Sequence, residues 1–202
     1  MVDVTERSRK SEDDYFRRKE QELIDKLRET TEAEAHRKGL AEAVGLENEQ
    51  ILDVLREMGF DRATVVVLFL VPLLQVAWSD GSISDRERTL ILEAAHAHGV
   101  KEGTPAHAKV TEWLAARPPE QTFERALRVI RDLMVFQSTD ARQATTGRLM
   151  DACERIAAAS GGFLGLGSKI SPEEAAVVKR VASEIERAHA EAATKVLGDM
   201  RA

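Results

Sequence analysis

The chain has 202 residues, which fits one domain with an appendage or two very small domains. Of these residues 43% are hydrophobic, enough for a core, and 32% are charged, which implies a heavily solvated exterior. Its formal net charge of -6 argues against a protein that binds nucleic-acid phosphates without sequence preference, because such binding needs a basic face. Aromatic residues make up only 4% and alanine is abundant, which favours close-packed helices over a sheet.

The N-terminal segment, residues 1–39, is predicted to be a charged helical arm. Its first ten residues are polar and charged and lack the apolar segment of a secretory signal, so we expect a cytoplasmic protein. Its apolar residues form one thin stripe. The stripe consists of Tyr15, Phe16, Leu23 and Leu27, with Ile24 beside them. Such a helix is either solvated and loosely docked on its own domain, or a coiled-coil or partner-binding arm whose stripe makes the contacts.

Residues 40–202 are predicted to form one compact multi-helix bundle. Helical spacing of apolar residues continues from Leu40 to Met58, with Gly45 and Gly59 as stops. The ten residues from Val65 to Leu74 are apolar throughout and contain Pro72, which predicts a buried central helix that starts at Asp61 and kinks near the proline. This run is shorter than the roughly 18 apolar residues that a membrane-spanning helix needs.

The rest of the chain reads as a series of capped helices. Ser84 and Glu87 have the spacing of a capping box, so a helix is predicted to begin at Asp85. Later helices are predicted to begin at Thr104–Pro105, after Pro118–Pro119, at Ser138 or Thr139, and at a second capping box formed by Ser171 and Glu174. Since no segment alternates with a period of two, the predicted fold class is all-α.

Cys153, the single cysteine, excludes an intrachain disulfide and a thiolate metal site. Leu149, Ile156 and Ala157 recur around it at helical spacing. We therefore expect a small buried core residue rather than a reactive thiol.

Two helix–loop–helix stretches of the chain are alike. Val-Ala-Trp-Ser-Asp-Gly and Ile-Ser-Asp-Arg-Glu (residues 76–87) can be aligned with Ile-Ala-Ala-Ala-Ser-Gly and Ile-Ser-Pro-Glu-Glu (residues 156–174), with extra residues 163–169 in the second copy. Two such units facing each other would bury both apolar faces, so we expect a pseudo-repeated bundle. The inserted Phe163, Leu164 and Leu166 would either cover the end of the bundle or offer an apolar contact to a partner or a bilayer surface.

The run from Ala77 to Glu87 resembles the signature of TerB-like (tellurite-resistance B) domains: hydrophobic residue, Ala, Asp-Gly, hydrophobic residue, Ser and Glu. The resemblance covers about residue 60 to the last helix. It implies a helical bundle with an acidic surface, linked to tellurite and general stress resistance, to metal binding and to scaffolding at the inner membrane. We accordingly expect a non-catalytic protein that acts through protein–protein contacts, including peripheral association with a membrane complex. The alternative is a structural assembly subunit tethered by its N-terminal helix.

The acidic loop after residue 79 can be interpreted in two ways. Asp80 and Glu87 match two ligand positions of an EF-hand loop, but Val76 and Trp78 occupy two others and cannot coordinate calcium through their side chains. In the first interpretation Asp80 forms an Asx turn and Glu87 caps the next helix. In the second, Asp80, Asp85 and Glu87 belong to a Ca²⁺ or Mg²⁺ site that other residues complete.

Overall fold

In the computed structural model, the backbone is described for residues 3–159 and 171–199, and the side chains for residues 17–159 and 171–187. Over these residues the chain forms eight α-helices and one 3₁₀ helix, without a strand. The helices are α1 (Asp3–Val44), α2 (Glu49–Glu57), the 3₁₀ helix (Val65–Leu70), α3 (Val71–Ala77), α4 (Asp85–Ala97), α5 (Pro105–Ala115), α6 (Glu120–Val135), α7 (Thr139–Ala159) and α8 (Pro172–Asp199). The predicted all-α fold is confirmed.

Helix α3 is the centre of the bundle. All seven of its residues are buried, and it contacts α4, α6, α7 and α8. The core of the bundle includes Leu70, Leu74, Ile91, Leu127, Ile130 and Ile156. Val66 is half-buried and packs against the margin of this core.

The prediction of a single helix from Asp61, kinked near Pro72, is wrong. Residues 65–70 wind as a 3₁₀ helix, and Pro72 lies in the first turn of a separate helix, where its missing N–H costs no hydrogen bond. A 3₁₀ helix has three residues per turn, so Val66 and Phe69 share its less buried side. Asp61 closes the turn before it, where its Oδ1 accepts hydrogen bonds from the N–H groups of Ala63 (2.9 Å) and Thr64 (2.8 Å).

The two pseudo-repeated units pack face to face. Helices α3 and α4 form the first unit, α7 and α8 the second, and α3 contacts both helices of the second unit while α4 contacts α7. Cys153 of α7 is fully buried between them, and burial raises the pKa of its thiol to about 12. The first turns of α4 and α8 carry equivalent glutamates, and the charge of Glu174 in α8 acts on Glu87 in α4.

Helix α1 runs unbroken from the arm into the bundle. Every residue from Arg17 to Glu32 is exposed, and from Arg17 onward Leu40 is the first fully buried residue of the helix. Arg37 ties the end of the helix to α2 through Asp53, with 3.2 Å between Nη2 and Oδ1. Burial thus begins next to the predicted division at residue 39, although the helix does not break there. In the described part of the chain no helix is long and apolar enough to cross a membrane.

Candidate functional site

Two capping boxes open α4 and α8, as the sequence predicts. In the first, Glu87 Oε2 accepts hydrogen bonds from Ser84 N (2.8 Å) and Ser84 Oγ (2.7 Å), and Glu87 N donates to Ser84 Oγ at 3.3 Å. In the second, Glu174 Oε2 accepts from Ser171 N (2.7 Å), and Glu174 N donates to Ser171 Oγ at 3.1 Å. Each pair satisfies donors at a helix N-terminus that no intrahelical carbonyl can reach.

Both capping glutamates are buried, which is uncommon for a residue in the first turn of a helix. Glu87 and Glu174 are each 2% exposed. Burial raises the pKa of the Glu87 carboxyl, the hydrogen bonds from Ser84 lower it, and the nearby charges of Asp80 and Glu174 raise it. The charge of Glu174 thus contributes to the raised pKa of its pseudo-equivalent Glu87.

Four buried polar atoms in α3, in the loop after it and in α4 make no hydrogen bond within the described residues. Glu87 Oε1, Ser79 Oγ and both amide atoms of Gln75 are buried and have no partner within the described residues. Gln75 lies in the last turn of α3, and Ser79 follows the C-cap residue Trp78, directly before Asp80. An unsatisfied buried polar group costs about 1–3 kcal/mol, so a water or ligand that bonded to these atoms would be held favourably. We call Gln75, Ser79, Asp80, Glu87 and Glu174 the polar cluster.

Asp80 forms the Asx turn that the first interpretation expects. Its Oδ1 accepts hydrogen bonds from Ser82 N (3.0 Å) and Ser82 Oγ (3.4 Å). Gly81 follows with a φ of +92°, a conformation that glycine adopts without strain. Asp80 is itself exposed, which leaves it accessible to a solvated ion.

The end of α3 and the start of α4, on the two sides of the loop, are joined to α5 by one side chain each. Trp78 Nε1 donates a hydrogen bond to the carbonyl of Trp113 at 2.8 Å, and Arg88 Nη2 donates to the carbonyl of Leu114 at 3.0 Å. Val76 is fully buried in the core. The residues at the two unmatched EF-hand positions therefore serve packing and anchoring, which explains why this loop departs from an EF-hand.

The chemistry of the polar cluster suits a hard cation. Carboxylate and amide oxygens are the ligands that Ca²⁺ and Mg²⁺ prefer, and Mg²⁺ commonly keeps several waters and takes only one or two carboxylates. Within the described residues no three His, Cys, Asp or Glu side chains converge closely enough to hold a metal. A cation here would thus have to complete its shell with water or with uncharged oxygens such as the Gln75 amide.

The other predicted site residues are not members of the polar cluster. Asp85 is exposed in the first turn of α4, where a negative charge is favoured by the helix dipole. Leu23 and Leu27 are exposed on α1, to 61% and 66%. The side chains of Tyr15 and Phe16, and the whole of Phe163, Leu164 and Leu166, lie outside the described residues.

Sequence reasoning missed three members of the polar cluster, Gln75, Ser79 and Glu174. Glu174 was expected only as a cap, although its match with Glu87 in the repeat could have suggested that both occupy equivalent positions. Gln75 is the one polar residue in the otherwise apolar run from Val65 to Ala77, and that interruption was the available signal.

An apolar groove between α2 and α6 was also not expected. It has a volume of about 490 Å³, and its charged lining residues are Arg125, Arg128 and Asp132. Its apolar lining consists of Ile51, Val54, Val129, Val135 and Phe136. A groove with this lining can accept apolar side chains but assembles no nucleophile and base.

Comparison with known proteins adds no relative. No protein-family model matches the chain, and neither a curated protein nor a solved structure is significantly similar to it.

Proposed function

We propose that this chain is a non-catalytic, TerB-like stress-response protein that acts through protein contacts and binds a divalent cation, Ca²⁺ or Mg²⁺, at the polar cluster. The observation that carries the cation proposal is the buried Glu87 carboxyl, whose Oε1 has no hydrogen-bond partner in the described part of the chain while the charges of Asp80 and Glu174 lie near it. A bound cation would offset the repulsion among these carboxylates and supply the missing interaction of Oε1.

The cation would link the two halves of the bundle. Glu87 opens α4 of the first unit and Glu174 opens α8 of the second, so an ion between them stabilises the packing of one unit on the other. Asp80 would add the exposed loop to the same site. The surface next to the loop would then differ between the cation-bound and cation-free chain, which is what a contact protein that responds to ions requires.

The test is a titration of the full chain with Ca²⁺ and with Mg²⁺. We expect amide resonances around Gly81 to shift and the melting temperature to rise, since a ligand that binds only the folded chain stabilises it by mass action. Glu87→Gln and Glu174→Gln should abolish both responses, because glutamine still accepts the capping hydrogen bond but lacks the charge. Glu93→Gln, on the exposed side of the same helix α4, is the matched control. A flat titration at millimolar metal would leave Asp80 and Glu87 as capping residues only.

A second candidate function is a structural assembly subunit tethered by its N-terminal helix. The observation that favours it is the exposure of Leu23 (61%) and Leu27 (66%) on a helix whose residues 17–32 are all exposed. Two large exposed leucines one turn apart are typical of a contact surface. The two functions are compatible, and the cation titration and the arm variants test them separately. Peripheral association with a membrane complex would use the same arm or the apolar residues 163–166.

A further inference from the structure

The apolar groove between α2 and α6 has the size and lining of a site for a small molecule. Its volume of about 490 Å³ lies within the range of about 300–1,000 Å³ that is typical of such sites. Of its apolar lining residues, Ile51 and Val129 are buried, and Val54 and Val135 are half-buried. Sites of this kind bury the apolar body of a ligand and orient it through a few polar side chains.

The groove is a depression between two packed helices. On α6 the lining residues 125, 128, 129, 132, 135 and 136 recur at spacings of three and four, so they form one side of that helix. Helix α2 contacts α6, and Arg125 Nη2 lies 2.6 Å from Glu57 Oε2, so an ion pair also joins the two helices. The walls of the groove are therefore held in place by the fold.

The charges at the groove leave one guanidinium uncompensated. Arg125 is paired with Glu57, as described above. Asp132 is paired with Arg131, whose Nη2 lies 2.9 Å from Asp132 Oδ1. Arg128, the third charged lining residue, is exposed and makes no ion pair within the described residues. Its N–H groups are thus available to an anion in the groove.

The far side of Arg128 adds no excess of negative charge. There Arg128 lines a smaller depression between α6 and α8. The other charged residues of that depression are three arginines and two glutamates: Arg131, Arg180, Arg187, Glu124 and Glu184. Positive charge therefore prevails around Arg128, although the whole chain carries a net charge of -6.

We infer that the apolar groove binds a small amphiphilic anion, an aliphatic chain that ends in a carboxylate, with the chain on the apolar lining and the carboxylate on the Arg128 guanidinium. A guanidinium donates two parallel hydrogen bonds to the two oxygens of a carboxylate, so this contact orients the ligand as well as neutralising its charge. An uncharged molecule would leave Arg128 unpaired, and a cation would be repelled by it. The inference goes beyond the proposed function and depends on neither the polar cluster nor the arm.

Decanoate is the probe, and decanol is the uncharged molecule with the same chain length. Each is titrated into the full chain below its micelle-forming concentration while the amide resonances are recorded. We expect decanoate to shift the resonances of residues 48–54 and 125–136, which form the groove, and to leave those around Gly81 in place. This location distinguishes the result from that of the cation titration.

Arg128→Gln tests the contact with the carboxylate. We expect it to weaken the binding of decanoate about tenfold or more, because a hydrogen bond to a charged group contributes at least about that ratio. The binding of decanol should stay within about twofold of the wild type, since decanol has no charge to lose. Arg148→Gln removes the same charge from the exposed side of α7 and is the matched control, with decanoate binding within about twofold of the wild type.

A series of hexanoate, octanoate and decanoate tests the apolar part of the site. Each added methylene that enters the groove should tighten binding by about two- to fourfold, as expected for the burial of a CH₂ group. An affinity that does not change with chain length would show that the groove does not hold the chain, and the inference would be wrong.

The variants decide the part of Arg128. If Arg128→Gln binds decanoate as well as the wild type does, or if Arg148→Gln loses as much affinity, Arg128 does not hold the anion. Arg128→Lys keeps the charge without the paired N–H groups and should bind decanoate with an intermediate affinity. An affinity no better than that of Arg128→Gln would exclude a charge interaction. A flat titration up to millimolar decanoate would likewise contradict the inference.

Discussion

Replacing Gln75 by leucine tests whether the polar cluster is built for a ligand at the expense of stability. The Gln75 side chain is 3% exposed, and neither amide atom has a hydrogen-bond partner within the described residues. Each unsatisfied buried group costs about 1–3 kcal/mol, so leucine, which has a similar size and no polar atoms, should stabilise the cation-free chain by about 2–4 kcal/mol. For a chain of this length that corresponds to a rise in melting temperature of about 5–10 °C.

The assay is urea unfolding of the wild type and of Gln75→Leu, with and without millimolar Mg²⁺. Gln143→Leu is the control, because Gln143 is exposed on α7 and its replacement should change the free energy of unfolding by less than about 0.5 kcal/mol. If the amide is a ligand, the gain in stability of Gln75→Leu should be accompanied by loss of the response to Mg²⁺. A Gln75→Leu chain that is less stable than the wild type would refute the reasoning, since it would mean that the amide makes favourable interactions.

The remaining predictions concern Glu87, a buried arginine and the arm. Burial raises the pKa of Glu87 above its ordinary value of 4.5, so protonation of Glu87 stabilises the folded chain at low pH. This contribution to the free energy of unfolding is lost as the pH rises through the folded-state pKa. Glu87→Gln should flatten that decline when metal-free unfolding is measured at successive pH values. Arg142→Met should lower the free energy of unfolding in urea by about 2–4 kcal/mol, because the Arg142 side chain is only 7% exposed and its guanidinium donates hydrogen bonds to carbonyls at the end of α6. Arg148→Met, on the exposed side of α7, is the control and should leave the free energy of unfolding unchanged. Deleting residues 1–31 should leave the melting temperature nearly unchanged and weaken self-association; unfolding of the truncated chain would instead make the arm a structural part of the bundle.

Much of the local structure could be predicted because its causes lie within a few residues of each other. A serine three residues before a glutamate satisfies helix N–H groups whatever the rest of the chain does, so both capping boxes were predictable. The same applies to the start of α5, where Thr104 Oγ accepts a hydrogen bond from His107 N at 3.2 Å and Pro105 follows. The exposed arm was equally readable, because its apolar stripe is too thin for burial.

The conformation of residues 65–70 could not be read from the sequence. A continuous apolar run has no periodicity, so it cannot distinguish a 3₁₀ helix from an α-helix or a buried strand. Packing decides it here: α1, α3, α4, α5 and α6 all contact this segment, and the tighter winding turns Val65 and Leu68 inward together.

The sequence by itself determined the all-helical class, the helix starts and the charged arm, since each depends on local hydrogen bonds and on the spacing of apolar residues. Only the tertiary structure decided that Glu87 and Glu174, 87 positions apart, are both buried and that the charge of Glu174 acts on Glu87. The physical reason is that burial and charge proximity depend on how α3 and α4 pack against α7 and α8. No local sequence pattern predicts that packing, although the repeated capping box indicates that the two glutamates occupy equivalent positions.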